Sequence, residues 1–257
     1  MHDIINVIFL AVVQGLTEFL PVSSSGHLVI AQRLLNINEP GIALEVWLHM
    51  GTLVSIMIFY RRVILDLIRG FFKLERKSLM MVGSIFISMI PAALFYIFFH
   101  TYVDEIYESP KFAGGFLVFT GVILIGLRWV RCSEGDVTIK RAFLTGLAQA
   151  IALFPGVSRS GMTIATARAT GISPVKAAEF SFLMVIPLII GAAAMNLIKE
   201  PTGTEGISGW LLALGAVISA VVGYIAIKVL IRLLKDGRFW MFGIYCMFAG
   251  LLVLIFM

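Results

Sequence analysis

Residues 14–27 of this 257-residue chain read Gln-Gly-Leu-Thr-Glu-Phe-Leu-Pro-Val-Ser-Ser-Ser-Gly-His, at the end of an apolar run that begins near Ile4. Proline removes an amide donor and clashes with the preceding helical turn, so we expect a helix to break at Pro21. The serines and Gly26 can then begin a second helix, whose first N–H groups are offered to an anion. Such a break within an apolar chain is tolerated only where protein or a wet cavity surrounds it. We therefore predict that this stretch forms half of an active site.

The composition of the chain indicates an integral membrane protein. Of its residues, 60% are hydrophobic and 14% are charged, and the mean hydropathy is +0.99. A soluble chain of this length needs far more polar surface. The net charge of +5 is not a nucleic-acid signal, because the basic residues cluster in short loops. Cys132 and Cys246 lie far apart without His or Cys beside them, so neither a disulfide framework nor a zinc site is expected. The N-terminus lacks a basic region and does not resemble a cleaved signal peptide.

Six apolar stretches are long enough to cross about 30 Å of hydrocarbon, which needs roughly 20 residues. They cover about 42–60, 78–99, 112–130, 178–198, 208–231 and 239–257. Two more stretches, 4–35 and 142–170, are interrupted by Pro21 and by Pro155-Gly156, and we predict that each forms a re-entrant helix pair. The predicted fold is an all-α polytopic membrane protein, with six transmembrane helices and two re-entrant helix pairs in a single membrane domain over residues 1–257.

The charges of the connecting loops predict the orientation of these spans. The loops near 61–77, 128–141, 168–176 and 228–238 are basic, whereas those near 100–111 and 199–207 are not. Cytoplasmic loops carry an excess of Lys and Arg. The alternation therefore places both termini outside, and it fails if either broken stretch is counted as a full span.

A repeat relates the two halves of the chain, about 1–131 and about 140–257. Each half would hold one re-entrant pair and three spans, and an odd number of spans inverts the second copy. The two broken tips would then meet near the midplane, as in the inverted repeats of transporters. The matching segments are Gly15-Leu-Thr-Glu18 with Gly146-Leu-Ala-Gln149, Leu20-Pro21 with Phe154-Pro155, Ser25-Gly26 with Ser160-Gly161, and Glu45 with Glu179.

The second broken stretch reads Pro-Gly-Val-Ser-Arg-Ser-Gly-Met-Thr over residues 155–163 and supplies one arginine among hydroxyls and glycines. An arginine at membrane depth is costly and usually functional. Its planar donor fork suits phosphate oxygens, and the adjacent helix N-terminus adds aligned N–H groups. The alternative is that Arg159 snorkels to the interface.

Acid–base candidates lie in the first stretch. Glu18 follows Gln14 by four positions on one helical face, where either can bind a metal, orient a base or hydrogen-bond across helices. His27 can act as base, acid or nucleophile, or merely pack. The other histidines, His49 among them, carry weaker claims. Spacing does not identify a nucleophile within residues 23–25, whose hydroxyls also suit helix capping and substrate binding.

Together, the two motifs resemble those of the undecaprenyl-diphosphatase family, also called bacitracin-resistance proteins. The resemblance covers essentially the whole chain, and both motifs are highly specific. It implies a bacterial inner-membrane enzyme that hydrolyses undecaprenyl diphosphate to undecaprenyl phosphate and phosphate, at a site open to the periplasm. That reaction recycles the lipid carrier of peptidoglycan synthesis, and overproduction of the enzyme gives bacitracin resistance.

By position, the resemblance also implies the site residues. Glu18 matches the family's essential carboxylate, Ser24 its proposed nucleophile and His27 its essential histidine, whereas Arg159 matches its phosphate-binding arginine. Substrate contacts are implied for Gln14, Ser23, Ser25, Ser158, Ser160 and Thr163. Members of the family often have glutamate at position 14. The family depends on a divalent cation, so we expect Mg²⁺ or Ca²⁺ to bridge the diphosphate and Glu18, because Mg²⁺ commonly binds one carboxylate plus substrate phosphates.

Two other functions share parts of this pattern. Acid-phosphatase-like lipid phosphatases need a histidine after Ser-Arg-x5, where this chain has Ala165, and their Lys-x6-Arg-Pro motif is missing. A transporter or flippase of a polyprenyl phosphate carrier stays open, because the inverted repeat and the anion site suit it as well. Also open are the attacking residue (Ser24 or His27), the metal, lipid-chain selectivity, and the oligomeric state, with a homodimer among the options.

Overall fold

The computed structural model describes residues 2–34, 42–107, 109–131, 133–199 and 207–257, and they are almost entirely helical. A 3₁₀ turn, Leu127–Trp129, follows the sixth α-helix. The α-helices of the described ranges are α1 (His2–Phe19), α2 (Ser24–Leu34), α3 (Ile42–Phe59), α4 (Arg61–Phe72), α5 (Arg76–Tyr107), α6 (Pro110–Gly126), α7 (Ile139–Ile151), α8 (Arg159–Ala169), α9 (Pro174–Lys199), α10 (Gly209–Lys235) and α11 (Met241–Phe256).

The helices are those of a multi-pass membrane protein. Helices α5, α6, α9 and α10 are long and apolar enough to cross a membrane, and α1, α3 and α11 are shorter apolar helices. The predicted breaks are confirmed, because α1 ends at Phe19 and α2 begins at Ser24, while α7 ends at Ile151 and α8 begins at Arg159. Cys132 and most of the predicted 199–207 loop lie outside the described residues.

Two predicted loops were wrong in part. The basic segment 61–77 contains α4, and α5 continues through the expected loop near 100–111 as far as Tyr107. In α4, apolar side chains at Ile64, Ile68 and Phe71 recur at helical spacing and line a groove against α5 and α9. The arginines of this segment hide that periodicity when charge is counted alone.

Helices α1, α3 and α10 run in the same direction. Val7 lies beside Gly215 and Gly15 beside Ser219, so α1 and α10 advance together. Helix α3 follows the same course, because Gly51 lies against the Ala216 carbonyl and, four residues further along both helices, Ser55 Oγ donates a hydrogen bond to the Ala220 carbonyl oxygen (2.6 Å). Since α1 and α3 are parallel, the chain must return between them, and α2 lies within that return.

Helices α5 and α7 form a second parallel pair, with one helix from each half of the chain. Gly146 of α7 lies against the Ser88 carbonyl of α5. Further along α5, and just past the end of α7, the Phe95 and Phe154 rings meet edge to face, with centroids 5.7 Å apart. Helices α5 and α7 are therefore parallel, as α10 and α1 are.

Helices α6 and α11 are antiparallel. Gly114 contacts Gly250, and Gly121 contacts Gly243 one heptad further along, so backbone meets backbone at both levels. Small residues allow apolar helices to approach this closely. This pair stands beside the two broken helices and contacts both of them.

Candidate active site

The two helix breaks meet each other directly. Ser23 Oγ accepts hydrogen bonds from the Gly156 amide (3.1 Å) and the Gly26 amide (3.2 Å), and Ser160 Oγ donates to the Leu20 carbonyl oxygen (3.1 Å). A Cβ on Gly26 would lie only 3.0 Å from the Gly156 Cα. Gly156 has φ +92°, which favours glycine. Glycines at both tips thus let segments 133 residues apart in sequence touch.

The same local geometry begins both returning helices. Ser158 caps α8 by accepting from the Gly161 amide (3.1 Å), as Ser23 does for α2 with the Gly26 amide. Such caps satisfy amides that a helix leaves without intrahelical partners. The two helix pairs are called the first hairpin (α1 and α2) and the second hairpin (α7 and α8). The residue after each cap, Ser24 in the first hairpin and Arg159 in the second, lines a cavity that both hairpins border.

Glu18 is the centre of the site. Its Oε2 accepts from Ser24 Oγ (2.8 Å) and from Gln14 Nε2 (3.1 Å), and its Oε1 accepts from Arg159 Nη2 (2.5 Å). The side chain is only 6% exposed. A carboxylate buried this deeply needs a paired cation and hydrogen-bond donors, and these three partners provide both.

The remaining predicted polar residues support Arg159 rather than enter the cavity. Thr163 Oγ1 donates to the Arg159 carbonyl oxygen (2.8 Å) and lies 2.6 Å from Ser181 Oγ on α9. Arg159 Nη1 donates to the Ser181 carbonyl oxygen (3.4 Å). Ser158 and Ser160 are buried between the tips. The hydroxyls that do line the cavity are those of residues 23–25.

A cavity of about 430 Å³ opens beside Glu18. One wall carries the charged and hydroxyl groups described above. The wall formed by α9 is apolar, with Val185, Leu188, Ile189 and Ala192. The cavity therefore suits a molecule with an anionic end and an apolar body.

The structure does not bring His27 to Ser24 or Glu18. Its Nδ1 lies 2.9 Å from the Ser23 carbonyl oxygen and its Nε2 lies 2.7 Å from the Tyr245 hydroxyl on α11. The histidine that lines the cavity is His49, whose Nε2 is 3.7 Å from Glu18 Oε2.

Sequence reasoning missed several residues that shape the site. His49 was only a weak candidate for the site, although it lies one helical turn after Glu45, which matches Glu179 in the repeat. Thr120 of α6 donates to the Gly156 carbonyl oxygen (3.0 Å) and accepts from the Ser158 amide (3.1 Å). Nothing in the local sequence around Thr120 or Tyr245 distinguishes them from other residues of an apolar helix.

The side-chain oxygen atoms of Glu18 and Gln14 are suitable ligands for a hard divalent cation. Across the described ranges, no group of three His, Cys, Asp or Glu side chains could hold a metal by itself. Within them, however, the buried Gln14 Oε1 has no hydrogen-bond partner, and Glu18 offers a carboxylate next to it. Carboxylate and amide oxygens are ligands that Mg²⁺ and Ca²⁺ accept, and Mg²⁺ usually completes its shell with water and substrate phosphates.

The fold and the cavity define a class of protein, a multi-pass helical membrane protein in which two helix breaks meet at one site that pairs Glu18 with Arg159. The chain matches the family described as "Bacitracin resistance protein BacA" over residues 7–252. It is 37% identical over 258 residues to the undecaprenyl-diphosphatase of Halothermothrix orenii, with 98% of each chain covered. It is 37% identical to the proteins of the same name from Desulfatibacillum aliphaticivorans and Korarchaeum cryptofilum, again with 98% coverage of each chain. This chain belongs to the BacA family, so the resemblance read from its motifs is confirmed.

Proposed function

We propose that this protein hydrolyses undecaprenyl diphosphate to undecaprenyl phosphate and inorganic phosphate. The observation that carries the proposal is the contact of Glu18 with both Ser24 and Arg159 inside a cavity that has one apolar wall. Full-length relatives named undecaprenyl-diphosphatase support the substrate. The reaction would recycle the lipid carrier of peptidoglycan synthesis and give resistance to bacitracin.

The cavity suggests how the substrate lies. The diphosphate would contact Arg159 and the first amides of α2 and α8, because guanidinium groups and helix N-termini both bind phosphate oxygens. The polyprenyl chain would leave along the apolar wall formed by α9. Arg159 would then exchange Glu18 for phosphate oxygens, which releases Glu18 to accept a proton.

Ser24 is the proposed nucleophile, and Glu18 is the group placed to accept its proton. Ser24 Oγ is 2.8 Å from Glu18 Oε2, within the distance required of a general base. Attack forms an Oγ–P bond to the terminal phosphorus and breaks the bond from that phosphorus to the bridging oxygen, which leaves as undecaprenyl phosphate. The leaving undecaprenyl phosphate takes the proton from Glu18, which restores the carboxylate. Water then attacks the phosphoserine while Glu18 accepts its proton, the Oγ–P bond breaks, Ser24 Oγ takes that proton back, and phosphate departs.

His27 is not placed to accept the Ser24 proton, since its two ring nitrogens contact Ser23 and Tyr245. Arg159 would stabilise negative charge on the non-bridging oxygens. A bound Mg²⁺ or Ca²⁺ would add charge neutralisation at the diphosphate. Glu18 and Gln14 are the side chains that would hold it.

The helix directions support the proposed topology of six spans, two re-entrant pairs and an inverted repeat. Parallel α1 and α3 require the chain to return between them, and antiparallel α6 and α11 are what an inverted second copy would give. With basic loops in the cytoplasm, both termini and the cavity mouth near Glu45 and Ala193 would face the periplasm. We also expect contacts with membrane lipid and a homodimer. Light scattering of the protein in detergent measures its oligomeric state.

Cysteine labelling in intact cells tests this orientation. In a Cys132→Ser background, an impermeant thiol reagent should label Lys111→Cys but neither Lys73→Cys nor Lys235→Cys, whose side chains are all exposed. Labelling of Lys73→Cys would overturn the orientation.

Phosphate release by the purified protein in detergent tests the function. A protein that only transported the carrier would release no phosphate from undecaprenyl diphosphate. Wild-type protein should release phosphate, and Arg159→Ala purified in the same way should release none.

A further inference from the structure

Tyr245 of α11 forms a side-chain contact with the first hairpin that the proposed reaction does not use. Its hydroxyl lies 2.7 Å from His27 Nε2, and His27 Nδ1 lies 2.9 Å from the Ser23 carbonyl oxygen. A carbonyl oxygen only accepts, so Nδ1 must carry the hydrogen. In the neutral ring Nε2 is then an acceptor, and the Tyr245 hydroxyl donates to it.

This chain of hydrogen bonds ends at an unusual backbone conformation. Ser23 has φ +67°, a left-handed value that is uncommon for residues other than glycine. Its carbonyl oxygen accepts from His27 Nδ1 and from the His27 amide (3.2 Å), while its hydroxyl accepts from the Gly156 amide. The residue that follows this turn is Ser24, whose Oγ lies 2.8 Å from Glu18 Oε2.

We propose that Tyr245 is a positioning residue, which acts through His27 to hold the Ser23 turn and thereby keeps the Ser24 hydroxyl on Glu18. The inference rests on the proposed function, because it assigns Ser24 as the group being positioned. It gives His27 a role in placing the nucleophile, consistent with its absence from the cavity wall.

Helix α11 is a suitable support for such a contact. Its glycines pack against those of α6, and Cys246 Sγ donates to the Pro21 carbonyl oxygen (3.4 Å). The helix therefore contacts both ends of the segment between Pro21 and His27. Thr120 of α6 binds the second tip in the same way. The α6–α11 pair thus contacts both hairpin tips and can hold them in a fixed relative position.

The change Tyr245→Phe removes one hydroxyl and keeps the ring, which lies nearly parallel to the His27 ring. A single hydrogen bond of this kind typically corresponds to about a three- to tenfold effect. We expect kcat for phosphate release to fall by about that factor while KM changes little, because the Arg159 side and the apolar wall are untouched. Tyr224→Phe is the matched control, since it removes a hydroxyl from α10 away from the cavity.

A double-mutant cycle separates positioning through His27 from a general packing effect. In a His27→Ala background, Tyr245→Phe should have little further effect on kcat, because the side chain that transmits its contact is already gone. The proposal is overturned if the His27 and Tyr245 changes lower kcat by factors that simply multiply in the double variant. It is also overturned if Tyr245→Phe has the same kcat as Tyr224→Phe.

A readout that does not depend on turnover distinguishes failure of this inference from failure of the proposed function. Hydrogen–deuterium exchange of the peptide over 21–28 should quicken in Tyr245→Phe, with no change over 154–163. If wild-type protein releases no phosphate, the proposed function fails, and faster exchange at 21–28 then supports only the contact. Unchanged exchange refutes the positioning role whatever the activity.

Discussion

Replacement of Ser24 by alanine is the sharpest perturbation of the proposed mechanism, because it should remove chemistry and leave the fold. Ser24 Oγ is one of two donors to Glu18 Oε2, and Gln14 Nε2 remains at 3.1 Å. Arg159 still pairs with Glu18 Oε1. The free energy of unfolding should therefore fall by about 1.5–3 kcal/mol at most, the value of one hydrogen bond to a charged group.

The effect on turnover should be far larger. Loss of an attacking hydroxyl typically lowers kcat by about 10⁴- to 10⁶-fold. At 1.36 kcal/mol for each tenfold change, this corresponds to about 5–8 kcal/mol of transition-state stabilisation. The assay is phosphate release from undecaprenyl diphosphate by purified protein, with Tm measured on the same preparation.

Two neighbouring serines serve as controls. Ser25→Ala removes a hydroxyl that lines the same cavity and shares one long hydrogen bond with Ser23 Oγ (3.3 Å) but does not contact Glu18, so activity should change little. Ser23→Ala leaves two amide donors between the tips without their acceptor, at about 1–3 kcal/mol each, and should lower Tm more than Ser24→Ala does.

The reasoning is refuted if Ser24→Ala keeps more than about a tenth of wild-type kcat, since that is less than the loss of a nucleophile can explain. Trapping a phosphoenzyme would identify the attacking group. Phosphate on His27 would reassign the nucleophile, and the absence of any phosphoenzyme would favour direct attack by water.

Three further predictions follow from the same geometry. Arg159→Lys should lower kcat by about 10²-fold or more although charge is kept, because an ammonium cannot reproduce the two-pronged contact; near-normal turnover would reduce Arg159 to a general electrostatic role. Gly26→Ala should lower Tm and activity together, because the added Cβ would press on the opposing tip, whereas Gly83→Ala, which meets nothing within 4 Å, should not lower Tm. His49→Ala should lower kcat/KM by about tenfold, as expected for loss of one polar contact to a charged site, and His100→Ala should leave it unchanged.

Local sequence predicted the membrane class, the breaks and the family. A proline between a helix and a run of serines must end one helix and can cap the next, so the break at Pro21 needed no tertiary information. Apolar runs likewise predicted the membrane helices. Helix α4 was missed because its arginines mask an apolar stripe that is recognised only when helical spacing is checked.

The partners of each site residue were decided by tertiary structure. Sequence placed Glu18 and Arg159 in separate hairpins, and only the docking of the two glycine-bearing tips joins them in an ion pair. His27 stands three residues from Ser24 in the chain, yet its ring contacts Tyr245, 218 residues away. Sequence spacing restricts which face of a helix a side chain occupies, but the packing of distant helices determines what that face meets. For this reason the motifs alone predicted a phosphate site, whereas the structure decided that Glu18 contacts both Ser24 and Arg159 and that His49, not His27, lies beside Glu18.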